Sequence, residues 1–172
     1  MNTFPPEDIR SFLQLCSGEW LTLRSLLDAE PVGMKESKEG SGEDLEESQS
    51  WHQAERGELK VEFLENDEAG MCGGMEVELP NGSRVQLNFR SDGSVVLACG
   101  LGQWQLTEDG TLELRMEQGG RLVKERIWFS KPNLRLRCTL EQGTDGSPGR
   151  ASFSSEIRRV PRPVESIRPV LA

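Results

Sequence analysis

The sequence predicts an all-β fold, an antiparallel up-and-down β-barrel of about ten strands preceded by one N-terminal α-helix, and three observations predict it. From Trp51 onward, apolar and polar residues alternate with a period of two, the spacing of strands with one buried face. Dipeptides typical of tight hairpin turns separate the alternating segments: Asn81-Gly82, Asp92-Gly93, Asp109-Gly110 and Gly119-Gly120. No helical pattern stands between these segments, so each is expected to pair with the next.

The helix is predicted within PPEDIRSFLQLCSG, residues 5–18. Two prolines and two acidic residues crowd its start, where absent N–H groups and negative charge are favourable. One apolar face recurs at helical spacing, made by Ile9, Phe12, Leu13 and Cys16, and Gly18 ends the pattern. We expect this helix to cover one mouth of the barrel.

The first strand is EWLTLRSLL, which follows the helix directly. The later strands are ELKVEFLE, GMEVELP, SRVQLNFRS, SVVLAC, GQWQLT, TLELRME, RLVKERIWFS, LRLRCTLEQ and ASFSSEIRRV. A sheet of this many short strands is expected to close, because closure removes its exposed edges. The strand number is that of a lipocalin/fatty-acid-binding-type barrel, whose interior holds side chains or one small ligand.

Residues 1–172 are expected to form a single domain, since a chain of this length can bury most of the surface that its unfolded form exposes. Residues 30–48 are acidic and rich in Gly and Ser, with too few apolar residues to pack, which predicts a flexible acidic loop. Residues 161–172 contain three prolines and are predicted to form a tail along the surface.

Composition argues against several classes of function. The net charge of −9 opposes binding to nucleic acid, although residues 121–172 hold eleven Lys/Arg against five Asp/Glu, because those arginines alternate with strand residues. No apolar run is long enough to span a bilayer, and MNTFPPEDIR does not read as a signal peptide, so we expect a cytoplasmic protein without a membrane partner. Four cysteines without a CxxC pair and a single histidine predict free thiols and no metal site.

Classical catalytic motifs are not found: one histidine and no G-x-S-x-G sequence argue against a hydrolytic triad, so any activity must come from what the barrel holds. ERIWFSKPNLRLR, residues 125–137, is unusually charged for a barrel wall. Arg135 and Arg137 leave one strand face and the neighbouring leucines the other. The pattern favours leucines inside and arginines in water. The alternative turns the arginines toward a ligand, where two guanidinium groups can grip two carboxylates. The same alternatives apply to Arg24.

Two glutamates and two tryptophans are further candidates. Glu125 shares a face with apolar residues of its strand, and burial of a carboxyl group disfavours its charged form and makes it a candidate proton donor. Glu156 lies two residues before Arg158 on the same face, which also suits a structural ion pair. Trp104 and Trp128 are interpreted either as core residues or as an aromatic platform for a ligand.

SGEWLTLRS, ERIWFSKPNLRLR and ASFSSEIRRV together resemble the S-type phycobiliprotein chromophore lyases of cyanobacteria and their relatives, the CpcS/CpeS group. The resemblance is specific over residues 11–25 and 102–160 and rests on strand order over residues 28–100. It implies a closed lipocalin-type barrel that binds a phycobilin (phycocyanobilin or phycoerythrobilin) as substrate, with no permanently bound cofactor. It also implies that the bilin is delivered to a cysteine of an apo-phycobiliprotein subunit as a thioether.

The same resemblance implies roles for single residues. Those that hold the bilin propionates are Arg24, Arg135 and Arg137. Those associated with the pyrrole nitrogens or with proton transfer are Glu125 and Glu156. Aromatic stacking on the bilin falls to Trp104 and Trp128. The nucleophile is the cysteine of the acceptor, and the lyase supplies positioning and a proton.

The chain departs from the family pattern in three places, one of which is the acidic loop at 30–48 that interrupts a usually continuous stretch. Arg-Thr-x-His-His-Leu is here Arg24-Ser25-Leu26-Leu27-Asp28, and two tryptophans of many members are replaced near Leu79 and Leu87. Two other functions therefore stay open: a non-catalytic bilin-binding subunit of a heteromeric lyase, and a generic carrier of a carboxylate ligand. A homodimer, or a heterodimer with a related lyase subunit, is open as well.

Overall fold

A computed structural model describes residues 4–28 and 52–160 of the chain. In chain order its elements are α1 (Ile9–Cys16), β1 (Gly18–Asp28), β2 (His52–Leu64), β3 (Met71–Glu78), β4 (Arg84–Arg90), β5 (Ser94–Leu97), β6 (Gly100–Leu106), β7 (Leu112–Gln118), β8 (Arg121–Lys131), β9 (Leu134–Gly143) and β10 (Arg150–Arg158). Neighbouring strands are antiparallel, and β1 pairs with β10 to close the barrel. The predicted all-β barrel with one helix is confirmed. The acidic loop at 30–48 and the tail at 161–172 lie outside the described residues.

The helix begins later than the sequence pattern predicts. Asp8 has an extended backbone, and its carboxylate accepts hydrogen bonds from the Ser11 amide at 2.8 Å and the Ser11 hydroxyl at 2.7 Å. This is an N-cap, so the two prolines precede the helix instead of forming its first turn. At the other end, Gly18 has φ of +134°, and a Cβ there would lie 2.7 Å from Nη1 of Arg158. Glycine is therefore needed where the helix passes into β1.

Helix α1 covers one end of the barrel, as expected. Its buried face is made by Ile9, Phe12, Leu13 and Cys16, and the ring of Phe12 packs edge-on against Phe129 with centroids 5.3 Å apart. We call this the helix end and the other the opposite end. The eight-residue helix is the only one in the described ranges and is too short to cross a bilayer.

The two sides of the barrel wall distribute apolar residues differently. On β3 and β4, buried Met75, Val77, Leu87 and Phe89 face inward, and Glu76, Glu78 and Arg84 form ion pairs outside. On β9 and β10 the inward positions include Arg135, Ser152, Ser154 and Glu156, all buried. The outward positions of these two strands carry leucine, phenylalanine and isoleucine instead. The barrel therefore has one apolar inner wall and one polar inner wall.

Candidate functional site

Strand pairing sets the geometry of the polar inner wall on β1, β8, β9 and β10. Residues in register across these strands form three rows, because neighbouring strands lie about 4.8 Å apart. The row nearest the helix end contains Thr22, Glu156, Arg135 and Phe129. The middle row contains Arg24, Ser154, Arg137 and Ile127. The row nearest the opposite end contains Leu26, Ser152, Thr139 and Glu125.

Both arginines of the LRLR segment point into the barrel. The side chain of Arg135 is 1% exposed and that of Arg137 is 20% exposed. The interpretation that the alternating pattern favoured, with leucines inside and arginines in water, is therefore wrong. The physical reason is the presence of two interior carboxylates, Glu125 and Glu156, which compensate the buried guanidinium charges.

The deepest contact is the pair formed by Arg135 and Glu156. Nε of Arg135 lies 2.5 Å from a carboxylate oxygen of Glu156, whose side chain is also 1% exposed. The guanidinium group lies over the ring of Trp20, 4.6 Å from its centroid. Its Nη2 has no hydrogen-bond partner among the described residues. The cation–π contact with Trp20 stabilises the buried guanidinium group in addition to the ion pair.

Arg137 connects the deep pair to the next row. Its Nη1 lies 3.1 Å from Glu125, and its Nε lies 3.4 Å from Glu156 but is not aligned for a hydrogen bond. Thr139 donates its hydroxyl to Glu125 at 3.4 Å. Burial pulls the pKa of Arg137 down, but the carboxylates of Glu125 and Glu156 outweigh that effect and raise the pKa above its ordinary value. Arg137 is therefore a permanent cation.

Arg24 differs from the other two arginines in its partners. It is half-buried on the inner face of β1, and its guanidinium group donates to the hydroxyl of Ser152 at 3.3 Å. Within residues 4–28 and 52–160, no carboxylate lies in ion-pairing distance of it. We call Arg24, Glu125, Arg135, Arg137 and Glu156 the inner polar cluster. Of its three cations, Arg24 is the one that forms no ion pair in the described ranges; Glu55, which is exposed, lies opposite it on β2.

The two tryptophans occupy different surroundings from those five residues. Trp104 packs edge-on against Phe89, with centroids 6.1 Å apart, and donates its indole N–H to the carbonyl of Arg90 at 2.9 Å. Trp128 lies outside the barrel, because the alternation that buries Ile127 and Phe129 turns it outward. The ring of Trp128 contacts Phe153 on the outer surface at 6.3 Å. The structure does not bring Trp128 to the inner polar cluster.

Trp20 was not a candidate from the sequence, and Arg158 was considered only as an ion-pair partner of Glu156; both lie beside the cluster at the helix end. The ring of Trp20 contacts two guanidinium groups, that of Arg135 and that of Arg158, the latter at 4.2 Å from the ring centroid. Arg158 donates to the carbonyls of Leu15 and Ser17 at the end of α1, and not to Glu156. Burial lowers the pKa of Arg158. The sequence did contain a signal for a polar inner wall. Trp20 and Arg24 share one face of β1, and Ser152, Ser154 and Glu156 share one face of β10.

The cysteines and the other metal-binding residue types form no site in the described part of the chain. All four cysteines are free, and Cys16 is fully buried, which raises the pKa of its thiol by desolvation. No group of three His, Cys, Asp or Glu side chains is close enough to share a metal ion in the described ranges. The chemistry available to the inner polar cluster is binding of anionic groups by arginine and proton transfer by glutamate.

Comparison with known proteins points to one family. A family model described as CpeS-like protein matches residues 77–159. The chromophore lyase CpcS/CpeS 1 of Paulinella chromatophora is 35% identical over 159 residues, which cover 91% of this chain and 91% of that protein. The chromophore lyase CpcS/CpeS 3 of Trichodesmium erythraeum is 41% identical over 71 residues, 41% of each chain. Among solved structures, the S-type phycobiliprotein lyase CPES from Guillardia theta has the same fold. Its TM-score is 0.63 at 21% identity, over 90% of this chain and 94% of that one.

Proposed function

This chain belongs to the CpcS/CpeS family of chromophore lyases, and on that premise we propose that it binds a phycobilin non-covalently and promotes its thioether attachment to a cysteine of an apo-phycobiliprotein subunit. The observation that carries the proposal is the inner polar cluster, in which Arg24 lines a closed barrel without forming an ion pair and Arg137 lies beside it in the same row. A linear tetrapyrrole carries two propionates, and arginine forks match carboxylates in charge and geometry.

Arg24 and Arg137 are the residues that we assign to the propionates. Both lie in the middle row, separated by Ser154, so their Cα atoms are about two strand spacings or 10 Å apart. Arg24 has only a neutral partner, Ser152, and can take a carboxylate without breaking an ion pair. Arg137 would exchange its contact with Glu125 for the second propionate.

Arg135 and Glu156 lie in the row nearest the helix end, next to the row of Arg24 and Arg137, and are assigned a supporting role. Both side chains are sealed from solvent at 1% exposure, so a ligand does not reach them without displacing their neighbours. We assign Glu156 to hold the guanidinium groups of Arg135 and Arg137 in place, and Arg135 to neutralise Glu156. Replacing Arg135 would leave a buried carboxylate without its main partner, so that substitution tests stability more than binding.

Glu125 is assigned to proton transfer. It is 13% exposed, in the row nearest the opposite end, and is held by Arg137 and Thr139. When a propionate takes Arg137, Glu125 loses its ion-pair partner and faces the bound ligand. The acceptor sulfur then bonds to the ethylidene carbon of the bilin, and Glu125 delivers a proton to the adjacent carbon. The acceptor thiol releases its proton to water and Glu125 regains a proton from water, so the net reaction adds S–H across the double bond with no leaving group.

The partners in this proposal are the bilin and the acceptor subunit, in the cytoplasm. The nucleophile belongs to the acceptor. Cys16 is buried at the last residue of α1, and Cys138 points outward from β9. Trp104 stays a proposed stacking residue through its place on the inner side of β6. A second candidate function, transport of a ligand with one carboxylate, draws on the presence of a single arginine without an ionic partner.

An absorption titration tests the proposal. Purified protein is titrated with phycocyanobilin and, separately, with phycoerythrobilin, and a saturable red shift or sharpening with one of them is expected. Transfer is then measured by mixing the complex with apo-subunit and following covalent attachment under denaturing conditions. Binding without transfer would make the chain a non-catalytic subunit, to be retested with a related lyase. No spectral change with either bilin would favour the carrier function.

A further inference from the structure

The outer surface of β1, β9 and β10 is apolar where a barrel wall is ordinarily charged. Six large side chains project from it, each between 39% and 57% exposed: Leu21, Leu23, Leu27, Leu140, Phe153 and Ile157. We call these six residues the outer apolar face. None of the outward positions between residues 21–27, 134–140 and 151–157 carries a charge. Apolar exposure of this kind marks contact surfaces.

Charged residues border this face without entering it. Across the pairing of β1 with β2, Glu58 and Arg56 lie beside Leu21 and Leu23. Across the pairing of β8 with β9, Lys124 lies beside Leu140. An uncharged centre with a charged rim is the usual composition of a protein interface.

The size of the face favours a transient partner over a permanent one. Its six side chains together expose on the order of 500 Å², against roughly 800 Å² per partner in a standard stable interface. Obligate dimers bury more than that and are more apolar. A partner that binds, reacts and leaves needs no larger apolar centre.

The face also runs to the end of the barrel that α1 does not cover. There Leu27 and Leu140 line a surface groove of about 430 Å³ beside the turn between β9 and β10, and the ion pair of Asp28 with Arg150 borders it. The same strands carry Arg24 and Arg137 on their inner side. A protein that lies on the outer apolar face and extends over the edge of the barrel at this groove would place a side chain at the opposite end of the barrel. That side chain would lie next to the row that contains Glu125.

We propose that the outer apolar face and its rim groove dock the acceptor subunit and guide its cysteine over the rim toward the inner polar cluster. This inference rests on the proposed function, because it names the surface that the protein substrate of that reaction uses. It predicts an acceptor whose contact surface around the cysteine is apolar and uncharged. It also separates the two substrates: the inner side of β1, β9 and β10 binds the bilin, and the outer side binds the protein.

Lysine substitutions test the docking surface. Leu23→Lys and Phe153→Lys place charges at its centre, and Leu101→Lys is the matched control, since Leu101 is 65% exposed on β6, on another part of the wall. Two quantities are measured for each variant: the Kd for apo-phycobiliprotein subunit without bilin, and the KM for that subunit during transfer. Transfer to a small thiol, β-mercaptoethanol, is measured in parallel, with the absorption titration and thermal unfolding as checks of bilin binding and folding.

We expect Phe153→Lys to raise both Kd and KM for the apo-subunit at least tenfold, with unchanged bilin spectrum, unfolding temperature and rate toward β-mercaptoethanol. Leu101→Lys should match the wild type. Unchanged Kd and KM in a folded Leu23→Lys, Phe153→Lys double variant would overturn the proposal. A wild-type dimer in sedimentation that dissociates in this variant, with KM unchanged, would assign the face to a second copy and also overturn it. A lower unfolding temperature with unchanged KM would show that these side chains serve the stability of the chain itself, and would also overturn the proposal.

The docking surface and the proposed function fail in different ways. If the protein shows no spectral response to either bilin, the proposed function fails. A tenfold weaker binding of apo-subunit to Phe153→Lys would still support the docking surface in that case, because that measurement uses no bilin.

Discussion

The two sides of the barrel wall follow opposite rules. On β3 and β4, Met75 and Phe89 are buried inside, and Glu78 and Arg84 pair at 3.0 Å in solvent. On β9 and β10, Arg135 and Glu156 pair at 2.5 Å inside, and Phe153 and Ile157 are exposed outside. On the β3 and β4 side, burial of apolar side chains stabilises the barrel and needs no charge compensation. The β9 and β10 side carries buried charge and exposed apolar surface, both of which are unfavourable for stability. This is the arrangement expected if the inner face binds the bilin and the outer face binds the acceptor, as proposed above.

The largest expected effect comes from breaking the deep ion pair. Glu156→Ala should lower the free energy of unfolding by about 3–5 kcal/mol, because it leaves Arg135 buried without its carboxylate. Glu78→Ala is the control on the other side, where loss of an exposed pair should cost about 0–1 kcal/mol. Urea unfolding of both variants gives the comparison. Equal losses would mean that the two ion pairs do not differ in the way their burial implies.

The second effect is kinetic. Glu125→Gln should slow bilin transfer by about 100-fold, since the amide cannot deliver a proton, while the spectrum of the bilin complex is retained. Glu113→Gln is its control, as Glu113 pairs with Arg126 at 3.1 Å outside the barrel and takes no part in the proposed reaction. Single-turnover transfer to apo-subunit measures both. If Glu125→Gln lost bilin binding as well, Glu125 would have a structural role.

The third effect is on affinity. Arg24→Gln should weaken phycobilin binding by about 10-fold or more, the range for losing a hydrogen bond between charged groups. Stability should change little, because Arg24 has only the Ser152 hydroxyl as a partner. The control is Arg115→Gln, which removes an exposed outer arginine of β7. An absorption titration that gave equal dissociation constants for Arg24→Gln and wild type would rule out the propionate contact.

The smallest effect concerns the N-cap of α1, the helix that covers the helix end of the barrel. Hydrogen bonds from the Ser11 hydroxyl and amide hold the pKa of Asp8 below its ordinary value. The lowered pKa means that the cap contributes stability above the ordinary pKa of aspartate and loses it as pH falls through the lowered value. Asp8→Ala should therefore cost about 1 kcal/mol at pH 7, and the difference from wild type should vanish in acid. Asp8→Asn keeps a capping oxygen and should cost less, and a pH-independent deficit in Asp8→Ala would contradict the cap.

Much of the fold could be predicted from local patterns. Period-two alternation and the Asn-Gly and Asp-Gly dipeptides predicted the strands and their turns, and Gly82, Gly93 and Gly110 do have positive φ. The turn Asp145-Gly146 between β9 and β10 was not singled out, although it is of the same kind. The two prolines predicted too early a start for α1, because the side chain of Asp8 caps the helix after them. These signals act between residues close in sequence, where steric limits on φ and ψ decide the outcome.

The site could be predicted only in part. The sequence by itself determined which residues share a strand face, so Arg135 with Arg137 and Ser154 with Glu156 follow from period two alone. It did not determine which face turns inward, because reversing a strand's faces leaves the alternation unchanged. That choice was made by contacts between residues distant in sequence: Arg135 with Glu156, and Arg137 with Glu125. A buried guanidinium group is tolerated only where a carboxylate meets it, and only the closed barrel brings β8, β9 and β10 together to supply one.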